Sequence, residues 1–401
     1  MSRKTRSQAP QVLLTPVALV EQASRCVRLN RAYEQAIDGG DPARLEAAGK
    51  TFSKAHSVLD AMCTAALQQG ADDVLDAALD RAARADGRQV LMTLVTGIEE
   101  LCTNFIPADE GRPLRTLCAL PVVMPADRAP PVLTESVLET LELAFVADQP
   151  GGTVAVVNRQ LVPGAFMESL DYSLVYGLGA AAAERPMAEL RRQAPGLMPD
   201  LPDVAFRADE AAGESGLPAE PALFYALAMV EGPEGFVDAD APQGVPESVR
   251  EALVGDLDTA GLRLGMPEPI YAALDAGPAL LLAARAEASL AADLAERRSP
   301  AREEGRALAV TLHGQHAMAG TERRFLPKEL RVSLLDATGR LLAGATLDAE
   351  AADISDFFLD RFRQHLADGL GIRTLHDMQG VVDDQAADRY WTPSGWQAVA
   401  G

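Results

Sequence analysis

The chain has 401 residues, 36 basic against 58 acidic side chains, a net charge of −22 and a pI near 4.6. A surface of that sign repels phosphate, which argues against duplex binding and against resting on an anionic membrane. With 48% hydrophobic and 23% charged residues, the composition is that of a globular protein able to bury a large core, and the length suggests two or more domains.

The opening carries Arg3, Lys4 and Arg6 and then an apolar run over residues 12–20. Pro16 interrupts that run and residues 21–25 offer no cleavage site, so residues 1–16 read as a flexible basic arm rather than a signal peptide. No stretch reaches the roughly 18 uninterrupted apolar residues of a membrane span. The best candidate, residues 279–294, is broken by Arg285 and Glu287. Cys26, Cys63, Cys102 and Cys118 form no C-x-x-C pair and read as buried small hydrophobes in a reducing cytoplasm.

Residues 17–106 read as a helical bundle. A first helix over 17–38 places Val20, Ala23, Val27, Tyr33 and Ile37 on one face. The string Asp38-Gly39-Gly40-Asp41-Pro42 then ends it, caps the next helix and puts proline in its first turn. The second helix has the stripe Leu45, Ala48, Phe52, Ala55, Leu59, Met62, Ala66 and stops at Gly70, with His56 off the stripe and facing solvent. Asp72 or Asp73 caps a third helix reaching Arg84. After Gly87 a fourth carries Leu91, Leu94, Ile98, Leu101 and Phe105. Connections this short make the helices antiparallel neighbours.

Past a polar loop over 107–113 the periodicity changes, and residues 114–380 read as a mixed α/β domain, with a division into two subdomains open near 196–220. The apolar run 117–124 is a strand that Pro121 places at an edge or a bulge. A helix capped by Thr134 and a strand over 153–157 complete the spacing of a crossover unit. Further on come a surface loop over 196–220, a strand over 223–230, helices over 247–257 and 279–297, and a strand over 307–312. A hairpin of 330–335 with 340–346 turns around Asp336-Ala337-Thr338-Gly339, and a last helix spans 353–370. The predicted class is α+β, an N-terminal antiparallel helical bundle followed by a mixed α/β region.

Three constellations invite a functional reading. Gly177-Leu178-Gly179-Ala180-Ala181-Ala182 follows the strand-like run 172–175 and matches a dinucleotide fingerprint formally. Pro186 interrupts the helix that should follow, and no acidic residue ends a second strand about twenty positions on, so a packing turn fits Gly177 and Gly179 better and no cofactor is expected. His313 and His316, in the string His-Gly-Gln-His, and the pair His376-Asp377 offer metal ligands; only a turn at Gly314 could bring the first two together, because residues three apart on a strand face opposite sides. His365 reads as an edge-of-core histidine beside Phe358 and Phe362.

The acidic string Asp348, Glu350, Asp353, Asp356, Asp360 reads as a solvated helix start. Arginines at 297, 298, 302 and 306, and the group Arg323, Arg324, Lys328, Arg331, read as salt-bridged surface beside neighbouring glutamates. The tail, residues 381–401, holds Tyr390, Trp391 and Trp396, which either dock back on their own domain or anchor a partner.

The order of a helical start, then Leu117-Cys118-Ala119-Leu120-Pro121-Val122, then Leu223-Phe224-Tyr225-Ala226-Leu227, then a late strand pair and a helix ending Gly369-Leu370-Gly371-Ile372 distantly resembles an uncharacterised proteobacterial family, a domain of unknown function. The resemblance implies a cytoplasmic bacterial protein and carries over no catalytic residue. The expected function is a non-enzymatic protein-interaction, assembly or regulatory factor with a protein partner or self-association, without nucleic acid or membrane. The alternative is a small-molecule- or metal-binding enzyme with its site in the C-terminal α/β region.

Overall fold

The computed structural model describes residues 14–105, 113–126, 133–146, 152–193, 220–232, 245–259, 261–296, 306–319, 322–349, 354–376, 381–383 and 389–398. The expected loop at 196–220, most of the basic arm, Asp377 and most of the arginine string from 297 lie outside them.

Helix α1 (Pro16–Gly39) starts where Thr15 Oγ1 accepts from Ala18 N and ends at Gly40 with φ 67°. Asp41 accepts from Ala43 N and Arg44 N to open α2 (Pro42–Gln69), which Gly70 closes at φ 64°. The caps at Gly40, Asp41 and Gly70 sit where the sequence marks them, and Thr15 adds one it does not. Ile37, expected on the buried face of α1, is exposed, and Ala36 is buried beside it instead. In α3 (Asp72–Arg81) the capping residue is Ala71, so neither aspartate is the cap; Asp72 Oδ1 instead accepts from Ser173 N at 2.9 Å. A π-helical turn, Ala82–Asp86, replaces the expected last turn of this helix. Helix α4 (Arg88–Thr103) follows, and Phe105 lies beyond it in the short strand β1 (Asn104–Phe105).

The first sheet is built around β2 (Leu114–Met124), followed by α5 (Glu135–Val146), β3 (Thr153–Val156), β4 (Val162–Pro163), α6 (Gly164–Glu168), α7 (Tyr172–Ala183), α8 (Met187–Gln193) and β5 (Ala222–Gly232). Strands β2 and β3 each pair antiparallel with β5, which lies between them, so β2, α5 and β3 form a split crossover. On its other side β2 meets β1 and two short strands, β6 (Arg263–Leu264) and β7 (Glu268–Pro269), which follow helix α9 (Glu247–Asp256). Strand β2 is therefore interior, not an edge. Pro121 is tolerated because its carbonyl accepts from Gly265 N in the gap between β6 and β7. The missing amide points the same way, to a place where the neighbouring strand is interrupted.

Both faces of this sheet are buried. Leu117, Ala119, Val123, Tyr225, Leu227 and Met229 share one continuous core with Leu59, Leu94 and Ile98 of the bundle, while the alternate residues Leu120, Val122, Phe224 and Ala226 pack with α5 and α9. The bundle thus closes its core on the sheet.

Helix α10 (Ile270–Glu296) starts nine residues before the expected point, continuing through Gly277 and Pro278. Its first half packs in the bundle-side core. Its second half packs with α11 (Asp356–Leu370) on a second sheet of β8 (Ala307–Ala319), β9 (Glu322–Leu335), β10 (Leu341–Asp348), β11 (Thr374–His376) and β12 (Val381–Asp383). Ser355 caps α11 through Phe358 N, and Gly371 ends it. The β9–β10 turn is as expected, with Asp336 Oδ1 accepting from Thr338 N and Arg340 N and Gly339 at φ 81°. Strands β8 and β9 continue well past the predicted limits as one long hairpin, and Gly314 marks a register shift within it rather than a turn. The tail forms a hairpin of β13 (Arg389–Thr392) and β14 (Gly395–Ala398). All four cysteines are buried and unpaired. The chain is α+β, and no described helix is long and apolar enough to cross a membrane.

Candidate functional site

Helix α11 carries two stripes. Phe358, Phe362 and Leu366 are buried in the second sheet's core, while Arg361, Gln364, His365 and Asp368 lie around the helix on the next face. That second face closes a cavity of about 240 Å3 whose other walls come from α9, the β6–β7 segment and α10. Arg250 enters from α9, Arg263 from β6 and Arg361 from α11, with Leu264, Met266 and Leu280 supplying apolar wall.

Each guanidinium is held differently. Arg263 Nη1 donates to Glu287 Oε1 of α10 at 2.7 Å, and Nη2 lies on the other carboxylate oxygen. Gly369 makes room for this pair, since a Cβ there would overlap the Glu287 carboxylate. Arg361 Nη2 donates to Glu268 Oε1 at 2.6 Å, Nη1 reaches Met266 Sδ at 3.4 Å, and the guanidinium lies over the Phe357 ring at 5.0 Å. Glu268 is 8% exposed and its Oε2 has no hydrogen-bond partner; burial pushes this carboxyl up, against the pull of Arg361. Arg250 is the least satisfied. The Glu247 carboxylate stands 3.7 Å from its Nε, and that buried nitrogen makes no hydrogen bond.

Three guanidiniums meet at this cavity although the whole chain is strongly negative; Glu287, Glu268 and Glu247 pair with them, and Asp368 stands on the same wall. Burial, and then Arg361, Arg263 and Arg250, push His365 down to about 4, so its imidazole is neutral at physiological pH. Burial and the neighbouring Arg250 also lower Arg263. A half-buried site with three guanidiniums and a neutral imidazole can meet an anion with charge-assisted hydrogen bonds. Among the described lining residues there is no serine, threonine or cysteine to act as a nucleophile.

A larger cleft, about 510 Å3, opens between α1, α2 and α4. There Arg31 and Arg88 alternate with Glu34 and Glu100, and Arg31 is engaged by Gln89. His56 lies at this cleft, edge-on to Phe52 and 3.1 Å from Asp60 Oδ2, with its ring still open to solvent.

Of the residues singled out from sequence, His365 lies in this cavity wall, half-buried beside the Phe358 and Phe362 stripe; the others lie elsewhere. Residues 172–175 are helical, not a strand, so Gly177 and Gly179 sit inside α7; a Cβ at Gly179 would overlap the Phe105 ring, which accounts for that glycine by packing. His313 is buried on β8, its Nε2 at 3.0 Å from Thr311 Oγ1 and its ring edge-on to Trp396 at 5.5 Å. His316 is two residues beyond the register shift, opposite Phe325. His376, on β11, lies 5.6 Å from Trp391. Among the described residues no three His, Cys, Asp or Glu side chains are grouped to hold a metal.

The tail docks back on its own sheet. Trp391 packs with Ala307, Ala309 and Leu335, the Tyr390 hydroxyl lies 2.9 Å from Thr346 Oγ1, and Arg331 reaches the Arg389 carbonyl.

Apart from His365, the cavity residues escape a reading of the sequence because they come from distant positions. The legible signal was Arg361-x-x-Gln364-His365-x-x-Asp368, a polar stripe at helical spacing directly beside an aromatic one. No family model matches the chain, and no curated protein matches it.

Proposed function

We propose that this protein is a small-molecule-binding regulatory or assembly factor, and that its ligand is a compact anion held in the cavity between α9, β6, α10 and α11. One observation carries the reading: Arg250, Arg263 and Arg361 enter one cavity from three separate elements in a chain of net charge −22. Convergent guanidinium donors, in a chain whose surface is otherwise acidic, are what an anion-recognising pocket requires. The walls suit recognition more than bond-making, because the titratable groups are arginines, a neutral imidazole, carboxylates engaged by arginine and Asp368.

The setting we propose is the bacterial cytoplasm, supported by four buried, unpaired cysteines and by the bias to 32 arginines over 4 lysines. The macromolecular partner is a protein or a second copy of the chain. Net negative charge supports that choice over nucleic acid. Because α10 packs against both sheets, a ligand on its flank is placed to alter how the two halves are held and what they present to a partner.

Thermal denaturation of the full chain with a panel of phosphate, malonate, citrate and chloride at constant ionic strength tests the reading. A saturable rise in melting temperature with a polyvalent anion, absent with chloride and reduced in Arg361→Gln, is expected. No stabilisation by any of them would remove the proposal.

A further inference from the structure

We infer that the anion is a phosphomonoester on a small organic body, met by Arg250, Arg263, Arg361 and His365 together. The inference rests on the binding function proposed above and narrows its ligand. A carboxylate has two oxygens in one plane and is best matched by one guanidinium fork, or by two in that plane. A phosphomonoester has three terminal oxygens directed tetrahedrally and accepts bonds from groups arriving on different sides. Here the guanidiniums come from α9, β6 and α11.

The existing bonds point the same way. Arg263 commits both Nη atoms to Glu287, and Arg361 commits Nη2 to Glu268, so neither presents a free two-pronged edge to a carboxylate. Each is left to offer single N–H bonds. Arg250 is the group awaiting a partner, with a buried Nε that makes no hydrogen bond and only a distant, exposed Glu247 beside it. Glu287 and Glu268 hold one guanidinium each at hydrogen-bond distance, whereas Arg250 has only the looser, exposed Glu247 at 3.7 Å and is the guanidinium freest to turn to a ligand. His365 adds a fourth donor from α11, since its neutral ring carries one N–H.

Size and lining set the rest of the molecule. At about 240 Å3 the cavity is smaller than the roughly 300–1,000 Å3 of pockets for drug-sized ligands, so it suits a phosphate with a short carbon chain rather than a nucleotide. Leu264, Met266 and Leu280 provide a surface for that chain, and Gln364 and Asp368 stand at the wall where a hydroxyl or amine of the ligand would bond.

Isothermal titration of the full chain with glycerol 3-phosphate, inorganic phosphate, malonate and a phosphoserine peptide tests the inference. Glycerol 3-phosphate is expected to bind about tenfold or more tighter than malonate. Arg250→Gln, at a partly exposed position where folding is readily checked by circular dichroism, should lose that preference, with Arg250→Lys restoring part of it. Malonate equal to or tighter than glycerol 3-phosphate would overturn the phosphomonoester and leave the anion-binding function standing. A peptide that binds where glycerol 3-phosphate does not would overturn the small-molecule ligand, and no binding by any of the four would remove both readings.

Discussion

The backbone of Gly277 lies directly against the hydroxyl of Tyr225, so close that a Cβ at Gly277 would overlap it. Tyr225 is fully buried at the centre of β5, and its hydroxyl lies 3.5 Å from the Ala273 carbonyl one turn earlier in α10. This contact sets how closely α10 approaches the first sheet. Glycine inside a helix costs about 1 kcal/mol relative to alanine, so on propensity alone Gly277→Ala should stabilise. The rigid ring has nowhere to go, and overpacking of this kind costs roughly 1–3 kcal/mol. Gly277→Ala is therefore expected to lower stability in urea denaturation, and Tyr225→Phe in the same chain to recover part of the loss. A Gly277→Ala protein as stable as the parent would show that the helix shifts freely on the sheet.

That helix also shows where the sequence was legible and where it was not. Local chemistry was readable: Asp41-Pro42, Gly70, Thr134, Asp336 and Gly371 each punctuate the chain where expected, because caps and turns are decided by neighbours a few residues away. What failed depends on partners far along the chain. Gly277-Pro278 looks like a break, yet α10 runs through it because burial against Tyr225 and the second sheet outweighs the weak local signal. Residues 172–175 look like a strand, yet Tyr172 and Val175 are on a helix packed against the bundle-side core. Pro121 looks like an edge signal, and only the interruption between β6 and β7 lets it sit inside a sheet. The cavity was hidden for the same reason, since Arg250, Arg263 and Arg361 meet only after α10 has brought the two sheets together.

Gly369 faces a different kind of neighbour. A Cβ there would overlap the Glu287 carboxylate and crowd the Arg263 guanidinium, but these are ends of long side chains that can rotate away. Gly369→Ala should thus leave stability within about 0.5 kcal/mol of the parent. Its effect should fall on the cavity instead, by displacing Arg263, and weaken binding of glycerol 3-phosphate about tenfold. Unchanged affinity in calorimetry would mean that Arg263 does not contribute to recognition.

Two half-buried groups give the fold opposite pH dependences. His365, held down to about 4 by burial and by Arg361, Arg263 and Arg250, binds protons less well folded than unfolded. Its contribution to stability is therefore present above the ordinary histidine pKa and lost as pH falls from about 6.5 through 4. Asp368 of α11 is the carboxylate that lines the cavity with it, and Glu287 of α10 stands behind Arg263. Glu99 on α4 is raised to about 7 by burial and by Asp275 of α10, beside Cys102, Tyr172 and Tyr271. Its contribution is present at low pH and lost as pH rises from about 4.5 through 7. Glu99→Gln should therefore gain stability above pH 7, by roughly 1 kcal/mol after allowance for solvent screening of a partly exposed group. His365→Asn should flatten the acid limb without changing the alkaline one. Urea midpoints measured from pH 4 to 8 separate the two, and a pair of variants with the parent's profile would refute both assignments.

The tail hairpin distinguishes docking from partner binding. Trp391 and Trp396 are cross-strand partners, the first packed over Ala307, Ala309 and Leu335 and the second edge-on to the buried His313. Tyr390 lies over Gly344, where a Cβ would stand 2.5 Å from its ring, so the second sheet is shaped to receive the hairpin. If this packing is the tail's role, Trp391→Ala should cost about 2 kcal/mol, less than a fully buried tryptophan because the ring is half-exposed. The loss should be accompanied by earlier hydrogen exchange in β8 and β9, the strands beneath it. A variant that keeps the parent's stability and exchange pattern but no longer self-associates or captures its partner in native mass spectrometry would place the tryptophans at an interface instead.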